Sequence, residues 1–574
     1  MSYPARVPGA WFCFAIWLTA AAPASAAAGV WYLDCASGDD TAPGTSPAAA
    51  WRSVERVNQQ TFSSGDSILL KRGTHCRGML WPKGSGTEDA PLTLGAYGEG
   101  AAPLIDGGHQ EAAVKLFNQE HWRIRNIEAV GGSPYGILVS GDRPLRGFRI
   151  ENVAVHDVTG DAKTKESGLI VVRPAGPQGV ISDVVIDGAT AWNTTQWAGI
   201  IVVGARYTGR QESAHGANVT VRNSTVHDVQ GDGIVVFLVR NGRIEKSVAW
   251  NTGRQPKETI GTPNGIWTWM CDDCVVEYNE GYLTSSPGVD GGVYDIDWGC
   301  RNNTVQFNYA HDADGYCVAV FGAGGLVTSN SVVRKNVCIR NGRDAALATR
   351  QGDVFLHTWD NGSLDGVRIA DNYIRWSPAA DAAALHNTAA VTGSQPNVFT
   401  NNVIVSQAPN LILSADSLKL DGNRYRYEGT ALPRFSYGGS TYASFDAYRI
   451  QTGQDQHGSY GDPDPHAQPA SRYSSLMLVS VLDDSDASHS QSVFLRSMHQ
   501  QYGRKGLRVR YAGTPSPDWR LDGIPKLAAA PAVTRMPSTL LLDGRGRTLK
   551  LWEGFVPAQD LALEIEQDLR AAAP

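Results

Sequence analysis

The sequence predicts a mainly β protein whose short strands stack as the coils of a solenoid, followed by a small α/β domain. Three observations predict this organisation: a motif that recurs about every 30 residues, a glycine-led strand between its copies, and a different pattern in the carboxy-terminal region. Of the 574 residues, 42% are hydrophobic and 19% are charged. This composition allows a large core and excludes global disorder.

The repeat combines alternating apolar residues with a polar turn that usually contains Asn. From Asn126 to Asn423 the chain takes ten steps over 297 residues, so the mean period is about 30. One coil cannot bury its apolar face alone, and stacking places equivalent residues about 4.8 Å apart, where recurring Asn side chains form ladders. The eleven copies begin at Arg123, Arg149, Val185, Thr220, Arg243, Val276, Val305, Val333, Arg368, Phe399 and Leu420.

A second strand follows the early copies, beginning at Gly136, Gly168, Gly199, Gly233 and Gly265. With these two elements, residues 28–466 resemble the secreted right-handed parallel β-helix proteins of the pectate-lyase and polygalacturonase type. The resemblance implies a β-helix of about eleven coils, with the substrate along one parallel sheet. The segments it implies are an N-terminal cap with first coils over 27–122, repeats over 123–430, and a closing segment with linker over 431–469.

The first 26 residues are typical of a secretory signal peptide, with Arg6 before a short apolar run and Ala24-Ser25-Ala26 at its end. The alternative is a membrane anchor, for which the run is short. We therefore expect an exported protein, periplasmic or extracellular, without a membrane span. Export permits disulfides, and we expect Cys35 and Cys76 to tie the N-terminal cap.

Strand alternation places candidate chemistry on the outer face of the glycine-led sheet. With Ile266 inward, Trp267 and Trp269 point outward on one coil, and Asp295 and Asp297 point outward on the next. Asp is disfavoured inside a strand, and such local inconsistencies are often functional. Carboxylates beside aromatic platforms favour chemistry on glycosidic bonds.

The distance between two carboxyl groups decides how they would act. Adjacent coils would separate them by about 5 Å, the distance in glycosidases that retain the anomeric configuration. Two coils would separate them by about 9.5 Å, near the range in glycosidases that invert it. We expect Asp295 or Asp297 to face Asp312 or Asp314 on the adjacent coil. Asp290 and Asp314 belong to Asp-Gly pairs that we align with Asp232-Gly233 as equivalent positions before the glycine-led strands, although Asp-Gly pairs are also ordinary turn chemistry. The candidate catalytic residues are Asp290, Asp295, Asp297, Asp312, Asp314 and His311.

The polygalacturonase resemblance implies a location for the site more than a reaction. Val289-Asp290-Gly291 is similar to the Asp-Gly-led strand of that family, and Asp312–Cys317 loosely resembles its Asp-Asp-Cys coil. The third element, Gly342-Arg343-Asp344, departs from the family because it has no His.

Other readings of the same region stay open. Asp295 and Asp297 could ligate calcium, the one cofactor the sequence raises. Elimination beside a uronate carboxylate would need a base and a cation, and Arg240 and Arg350 end candidate cleft strands. Uronate epimerisation shares the proton abstraction. The candidate substrate-binding residues are Trp267, Trp269, Arg240 and Arg350.

A column of aromatic residues follows the repeat motif at a fixed offset. It is either a binding ridge or a stacked ladder at a turn, and His311 belongs to it. The column contains His156, Trp192, His227, Trp250, Tyr282 and His311.

Residues 470–574 follow a β-α-β then β-β-α order that resembles a thioredoxin-like domain. Pro537 matches the position of that family's cis-proline, but the reactive CxxC is replaced by the stretch 483–488, which has no cysteine. Dithiol exchange is therefore chemically excluded for this domain. We expect it to be a binding or packing module, and it could contact a protein partner.

These observations predict a secreted carbohydrate-active protein that cleaves a polysaccharide, as a glycoside hydrolase or a lyase. The alternative is a non-catalytic solenoid for glycan binding or surface adhesion. The net charge of −7 argues against nucleic-acid or polybasic membrane binding.

Overall fold

The computed structural model describes residues 28–254, 260–466, 473–521 and 523–569. The predicted signal peptide lies outside these residues. In the described ranges the chain up to Tyr460 coils into three long sheets with parallel pairing between successive coils. The strands of the first sheet are Val30–Leu33, Ser67–Lys71, Leu92–Tyr97, Trp122–Arg125, Pro144–Glu151, Val180–Asp187, Gly216–Arg222, Val239–Glu245, Val275–Glu277, Thr304–Gln306, Val332–Arg334, Arg368–Ala370, Asn397–Thr400 and Leu418–Asp421.

The second and third sheets complete each coil. The second sheet contains His75–Arg77, Leu104–Asp106, Glu128–Val130, Ala154–Val158, Thr190–Thr194, Thr225–Val229, Val248–Trp250, Glu280–Tyr282, Tyr309–His311, Val337–Ile339, Tyr373–Trp376, Val403–Ser406, Arg424–Tyr427 and Ser459–Tyr460. The third sheet contains Ala112–Phe117, Tyr135–Gly141, Gly168–Pro174, Ala198–Val203, Ile234–Phe237, Ile266–Trp269, Tyr294–Ile296, Val318–Gly322, Val354–Thr358, Leu385–Asn387, Asn410–Ser414, Arg434–Tyr437 and the antiparallel Ser440–Tyr442.

Smaller elements decorate the coils. A two-stranded parallel pair joins Val327–Ser329 to Ser363–Asp365. The helices of this part are Val54–Asn58, Ala345–Gln351 and Phe445–Thr452, with a 3-10 turn at Pro47–Ala49. A disulfide joins Cys35 to Cys76 beside the first strands, and a second joins Cys317 to Cys338.

The predicted repeat motif supplies the strands of the first sheet from Trp122–Arg125 onward, and this sheet continues into the cap through the strands before it. The motif's Asn has two different roles. In early copies such as Asn126 and Asn152 it adopts the left-handed conformation that ends the strand, with φ of 57° and 51°. From Asn279 onward it stands one position later and points into the core.

The later asparagines form one continuous interior ladder. Each side-chain amide donates to the amide oxygen of the next coil at 2.9–3.1 Å, and the last, Asn423, donates to Asp455 at 2.8 Å. Each amide oxygen also accepts the backbone N–H of its neighbour. The ladder thereby pairs polar groups that apolar packing would leave unpartnered, and it fixes the coil-to-coil register. Its members are Asn279, Asn308, Asn336, Asn372, Asn402 and Asn423.

The carboxy-terminal domain is a four-stranded sheet with two helices, in the described residues from Tyr473 onward. The spatial strand order is Leu507–Gly513, Leu476–Leu482, Ser538–Asp543 and Thr548–Glu553, with only the first pair parallel. The helices are Asp486–Tyr502 and Ala558–Asp568, with a 3-10 turn at Gly503–Lys505. The Met536–Pro537 peptide is cis. Membership of the thioredoxin-like family stays a prediction.

This domain packs on the outer face of the second sheet. Buried Glu280 accepts hydrogen bonds from Ser497 and Gln501 of the long helix, both at 2.6 Å. Arg340 pairs with Glu566 at 3.2 Å. Tyr282, Tyr309 and other apolar residues of the sheet form one buried cluster with the domain's own core. No helix in the described ranges is long and apolar enough to cross a membrane.

The aromatic column predicted from the sequence lies beneath the same domain. Its six rings stack in order from His156 to His311, with centroids 4.1–6.1 Å apart. The guanidinium of Arg520 covers Trp192 at 5.7 Å. The column is therefore a packed ladder rather than an open ridge.

The Asn ladder yields a stability prediction. Asn336→Ala should lower the free energy of unfolding by about 3 kcal/mol, because it leaves donors of Asn308 and the carbonyl of Val305 without partners in the core. Denaturant unfolding followed by circular dichroism would measure this loss. Arg334→Ala, two positions earlier and exposed, should change stability by less than about 0.5 kcal/mol. Equal effects would argue against the ladder as the stabilising feature.

Candidate active site

A cavity of about 500 Å³ opens on the outer face of the third sheet. Strand register determines what lies beside it: Asp295 pairs with Trp267 on the preceding coil and with Ala319 on the following one. Tyr294 and Ile296 point into the core on either side of Asp295. The alternation predicted from the sequence thus places Asp295 and Trp267 side by side on the outer face.

Three carboxyl groups line this cavity: those of Asp290, Asp295 and Asp297. Asp295 and Asp297 are two positions apart in an extended segment, so both side chains leave the same face. Asp290 precedes that strand in a loop and adopts a left-handed conformation with φ of 64°. The fold therefore brings together three acids that sequence analysis had singled out.

The backbone of Asp290 is held by Gln351, at the end of the Ala345–Gln351 helix. With its amide oriented to satisfy both groups, Gln351 donates to Asp290 O at 3.1 Å and accepts from Asp290 N at 2.8 Å. The neighbouring Arg350 also lines the cavity and donates to the carbonyl of Gly288 at 2.5 Å. The two hydrogen bonds between the Gln351 amide and the Asp290 backbone offset the strain of the left-handed conformation of Asp290.

Hydroxyl and amide groups surround the carboxyl groups. Thr262 Oγ1 donates to Asp290 Oδ2, and the Tyr316 hydroxyl lies 3.4 Å from Asp290 Oδ1 and 3.0 Å from Asn264 Oδ1. Asn264 Nδ2 donates to Asp295 Oδ2 at 3.4 Å. Asp295 Oδ1 is buried and has no hydrogen-bond partner within the described chain.

One lysine approaches this acidic cluster. Lys165 Nζ donates to Thr262 O at 3.1 Å, lies 3.9 Å from a carboxylate oxygen of Asp232, and sits over the Trp267 ring at 4.8 Å. Asp232 is buried behind the cavity, where the Trp197 indole donates to it at 2.6 Å. Four carboxyl groups thus share one nearby ammonium group, so they cannot all be ionised at once.

Burial dominates the proton affinity of the cluster. It raises the pKa of Asp297 to about 8, with the charge of Asp290 adding to the effect. Burial, and after it the charges of Asp297 and Asp290, raises the pKa of Asp295 well above its ordinary value. Burial also raises the pKa of Asp290, but the Thr262 hydroxyl and Lys165 oppose the shift. Asp290 is therefore the best stabilised as a carboxylate, and Asp297 holds its proton at neutral pH.

Aromatic rings form the remaining walls. Trp267 lies beneath Lys165, Trp298 directly follows Asp297, and Phe321, Phe355 and Trp359 lie on the coils that follow Asp295. Flat apolar rings beside polar groups suit the faces and hydroxyl groups of a sugar.

His311 and Asp312 were expected in the site, but the structure places them elsewhere. His311 lies in the second sheet, 3.4 Å from Glu280 and 2.8 Å from Asp312, and is covered by the carboxy-terminal domain. Arg340 pairs with Asp312 at 2.9 Å, and the His311 and Arg340 hydrogen bonds outweigh burial to hold the pKa of Asp312 well below its usual range. These residues stabilise the domain contact and do not reach the cavity.

Asp314 also lies outside the cavity, in the turn that leads from the second to the third sheet, 3.9 Å from Arg343. The expected facing of Asp295 with Asp312 or Asp314 is wrong, because Ala319 occupies the adjacent position. The Asp-Gly pairs do not align: Asp290 stands four positions before its strand, whereas Asp232 stands two positions before its own.

Trp269 and Arg240 are not in the cavity lining. Trp269 packs edge-on against Trp298, which does line it, with centroids 4.9 Å apart. Arg240 belongs to the first sheet and approaches Asp272 at 3.5 Å. Among the described residues no group of three or more His, Cys, Asp or Glu side chains is arranged to hold a metal ion.

Sequence reasoning did not commit to several cavity residues. Lys165 stands on a long loop, where a lysine is usually only solvated, and Gln351 contributes through backbone contacts that leave no pattern. Phe355, His357 and Trp359 did carry a signal, because they alternate along one outward-facing stretch.

Comparison with known proteins places the chain among β-helices. A family model described as right-handed beta helix region matches residues 201–425. A crystal structure of a GH136 lacto-N-biosidase from Eubacterium ramulus superposes with a TM-score of 0.51 at 20% identity, covering 67% of this chain and 68% of that one. This likeness bears on the fold alone.

Two curated proteins are similar in sequence. A lacto-N-biosidase of Bifidobacterium longum subsp. longum is 23% identical over 499 residues, which cover 62% of this chain and 31% of that protein. The chain thus spans about a third of that relative's length. An alpha-1,3-galactosidase A of Akkermansia muciniphila is 34% identical over 65 residues, 11% of each chain.

The raised pKa of Asp295 gives a pH-dependent stability prediction. The unfolded chain loses this proton near pH 4, whereas the folded protein keeps it to higher pH, so stability falls as the pH rises above about 4. Asp295→Asn removes that dependence. We expect the variant to be more stable than wild type at pH 7, with an advantage that changes by at most about 1.4 kcal/mol per pH unit and vanishes below pH 4.

Denaturant unfolding at several pH values would measure the difference. Asp371→Asn is the matched control, because Asp371 is exposed in a turn remote from the cavity. A pH-independent effect of Asp295→Asn would contradict the assignment of a shifted carboxyl group.

Proposed function

We propose that this protein is a glycoside hydrolase that cleaves neutral oligosaccharides in the cavity of the third sheet. The observation that carries the proposal is the cluster of Asp290, Asp295 and Asp297 in an aromatic cavity, with different hydrogen-bond environments for the three carboxyl groups. Glycoside hydrolysis needs one carboxyl group that carries a proton and one that is ionised.

Asp297 is the general acid of this proposal. Its pKa near 8 keeps it protonated at neutral pH, and the backbone N–H of Trp298 at 2.8 Å is its hydrogen-bond donor. It gives its proton to the glycosidic oxygen as the bond to the anomeric carbon breaks.

Asp290 is the ionised partner. The Thr262 hydroxyl, the Tyr316 hydroxyl and Lys165 all favour its carboxylate. That carboxylate either attacks the anomeric carbon, with water releasing the product afterwards, or takes a proton from the water that attacks. Asp295 lies beside Asp290 and Asp297 in the cavity lining, with its Oδ1 buried and unpartnered in the described chain.

The charges in the cavity favour hydrolysis over elimination. Elimination from a uronate requires a cation that neutralises the substrate carboxylate. Among the described lining residues the lysine and arginine are Lys165 and Arg350, and the charge of Lys165 already faces the carboxyl groups of Asp232 and Asp290. Burial lowers the pKa of His357, so this imidazole is neutral. A uronate would instead meet the carboxylate of Asp290, which would not repel a neutral sugar.

The relatives support the same class of reaction. The curated relatives are named as a lacto-N-biosidase and an alpha-1,3-galactosidase, and these names supply first test substrates: a lacto-N-bioside and an α-galactoside. Their low identity or short overlap leaves the sugar itself to experiment.

We also propose that the protein is exported. The two disulfides, Cys35–Cys76 and Cys317–Cys338, support an oxidising compartment. The carboxy-terminal domain, without any cysteine, is proposed to pack and stabilise the second sheet rather than to exchange disulfides. Sequencing the amino terminus of the secreted protein would test the export signal.

The acid and its partner should respond differently to the leaving group. Asp297→Asn should lower kcat/KM for an oligosaccharide by about 10³-fold, within the usual range for a lost general acid. It should be close to wild type on a glycosyl fluoride, whose leaving group needs little protonation. Asp290→Asn should abolish turnover of both substrates, because it removes the carboxylate itself.

Steady-state kinetics with both substrates would test this assignment. Wild type should lose kcat/KM above about pH 8 as Asp297 ionises, and Asp371→Asn should match wild type throughout. If Asp297→Asn were inactive on the glycosyl fluoride while Asp290→Asn stayed active on it, the roles assigned to the two residues would be contradicted.

A further inference from the structure

The cavity has two unlike ends, and exposure of its aromatic lining increases from one to the other. Trp267, beside Lys165, is 3% exposed, whereas Trp359 is 43% exposed. The coil order of the third sheet places Trp267 before the aspartates and the strand Val354–Thr358, which Trp359 follows, two coils after them. At about 4.8 Å per coil, the strand that leads to Trp359 lies about 10 Å beyond Asp295.

The Trp267 end is closed. The ammonium group of Lys165 lies over both Trp267 and Trp197, 4.8 Å and 5.6 Å from the ring centroids. Ala162 and Ile260, from two loops over the sheet, join the same apolar cluster. A sugar chain that reached the aspartates could not continue past this wall.

The other end is an open, ordered aromatic surface. Trp359 stacks on His357 with centroids 5.6 Å apart, and His357 stacks on Phe355 at 5.3 Å. Phe321 supports Trp359 from the side at 5.6 Å. Thr388 accepts or donates a hydrogen bond at His357 Nδ1, 2.7 Å away, which orients that ring. A large exposed ring held in place on both sides is preorganised for a ligand.

We propose that the Trp359–His357 stack is a carbohydrate-binding subsite for the leaving-group side of a neutral oligosaccharide. This inference rests on the proposed function, and it deepens it by giving the cavity a direction. The terminal unit occupies the closed end at Lys165 and Trp267, and the remainder of the substrate crosses the aspartates and stacks on Trp359. The enzyme then acts on chain ends rather than within chains.

Two probes with the same terminal unit test the subsite. One is the fluoride of lacto-N-biose, whose leaving group is a single atom. The other joins lacto-N-biose to a lactose unit, which extends toward Trp359. Trp359→Ala should lower kcat/KM for the oligosaccharide by about tenfold, through KM, and leave the fluoride unchanged, because only the longer substrate stacks on the ring.

Conservative and distant substitutions separate stacking from general damage. Trp359→Phe retains a ring face and should stay within about threefold of wild type on the oligosaccharide. Tyr460→Ala is the matched control, since Tyr460 is 40% exposed and lies at the far end of the second sheet. Thermal unfolding of each variant checks that the fold is intact.

A binding measurement keeps the subsite distinguishable from the reaction. Calorimetry of the oligosaccharide with Asp290→Asn should show about tenfold weaker binding when Trp359→Ala is added. If Trp359→Ala slowed the cleavage of both probes equally, the subsite proposal would be overturned while the hydrolase proposal would stand. Trp359-dependent binding without any turnover by wild type would support the subsite and overturn hydrolysis. If the oligosaccharide is neither bound nor cleaved, the subsite proposal is overturned.

Discussion

The register between successive coils is the constraint on which the rest of this structure depends. The third-sheet strands from Ala112–Phe117 to Arg434–Tyr437 pair in parallel with one another in coil order, so an outward residue on one coil stands beside its equivalent on the neighbouring coils. The interior Asn ladder fixes that register, because an amide displaced by one residue would lose its bonds on both sides and remain buried. The contact of Asp295 with Trp267, and the aromatic lining beyond Ala319, follow from this pairing.

The site is distinguished by how few positive charges lie near its carboxyl groups. Asp232, Asp290, Asp295 and Asp297 share one half-buried ammonium group, from Lys165, and burial raises the pKa of each acid. Such an arrangement destabilises the folded protein at neutral pH, as is usual where carboxyl groups are tuned for proton transfer. What differs among the acids is hydrogen bonding: hydroxyl donors reach Asp290, whereas the partner of Asp297 is its neighbour's N–H.

The sequence sufficed for the solenoid, its cap disulfide and the outward face, because apolar alternation and repeated Asn report directly on burial. The sequence did not suffice to predict which residues lie side by side on neighbouring coils. The Asp-Gly pairs were aligned as equivalents, but the turns before the strands differ in length. Asp290 therefore stands two positions further from its strand than Asp232 does, and only the prediction of which face is outward was right. His311 illustrates a second limit: its column is periodic, yet only tertiary packing of the carboxy-terminal domain reveals that it is covered. Lys165 and Gln351 act from irregular segments, where no period exists.

The central claim, that the third-sheet cavity hydrolyses neutral glycosides, is tested most directly by product analysis in ¹⁸O-labelled water. The purified protein would be incubated with neutral oligosaccharides and with uronate polymers, and the products examined by mass spectrometry and ultraviolet absorbance. The account predicts reducing-end products from the neutral substrates with one ¹⁸O atom at each cleaved end, and no reaction with uronates. Unlabelled products with the absorbance of an unsaturated uronate would contradict it and identify an eliminative enzyme.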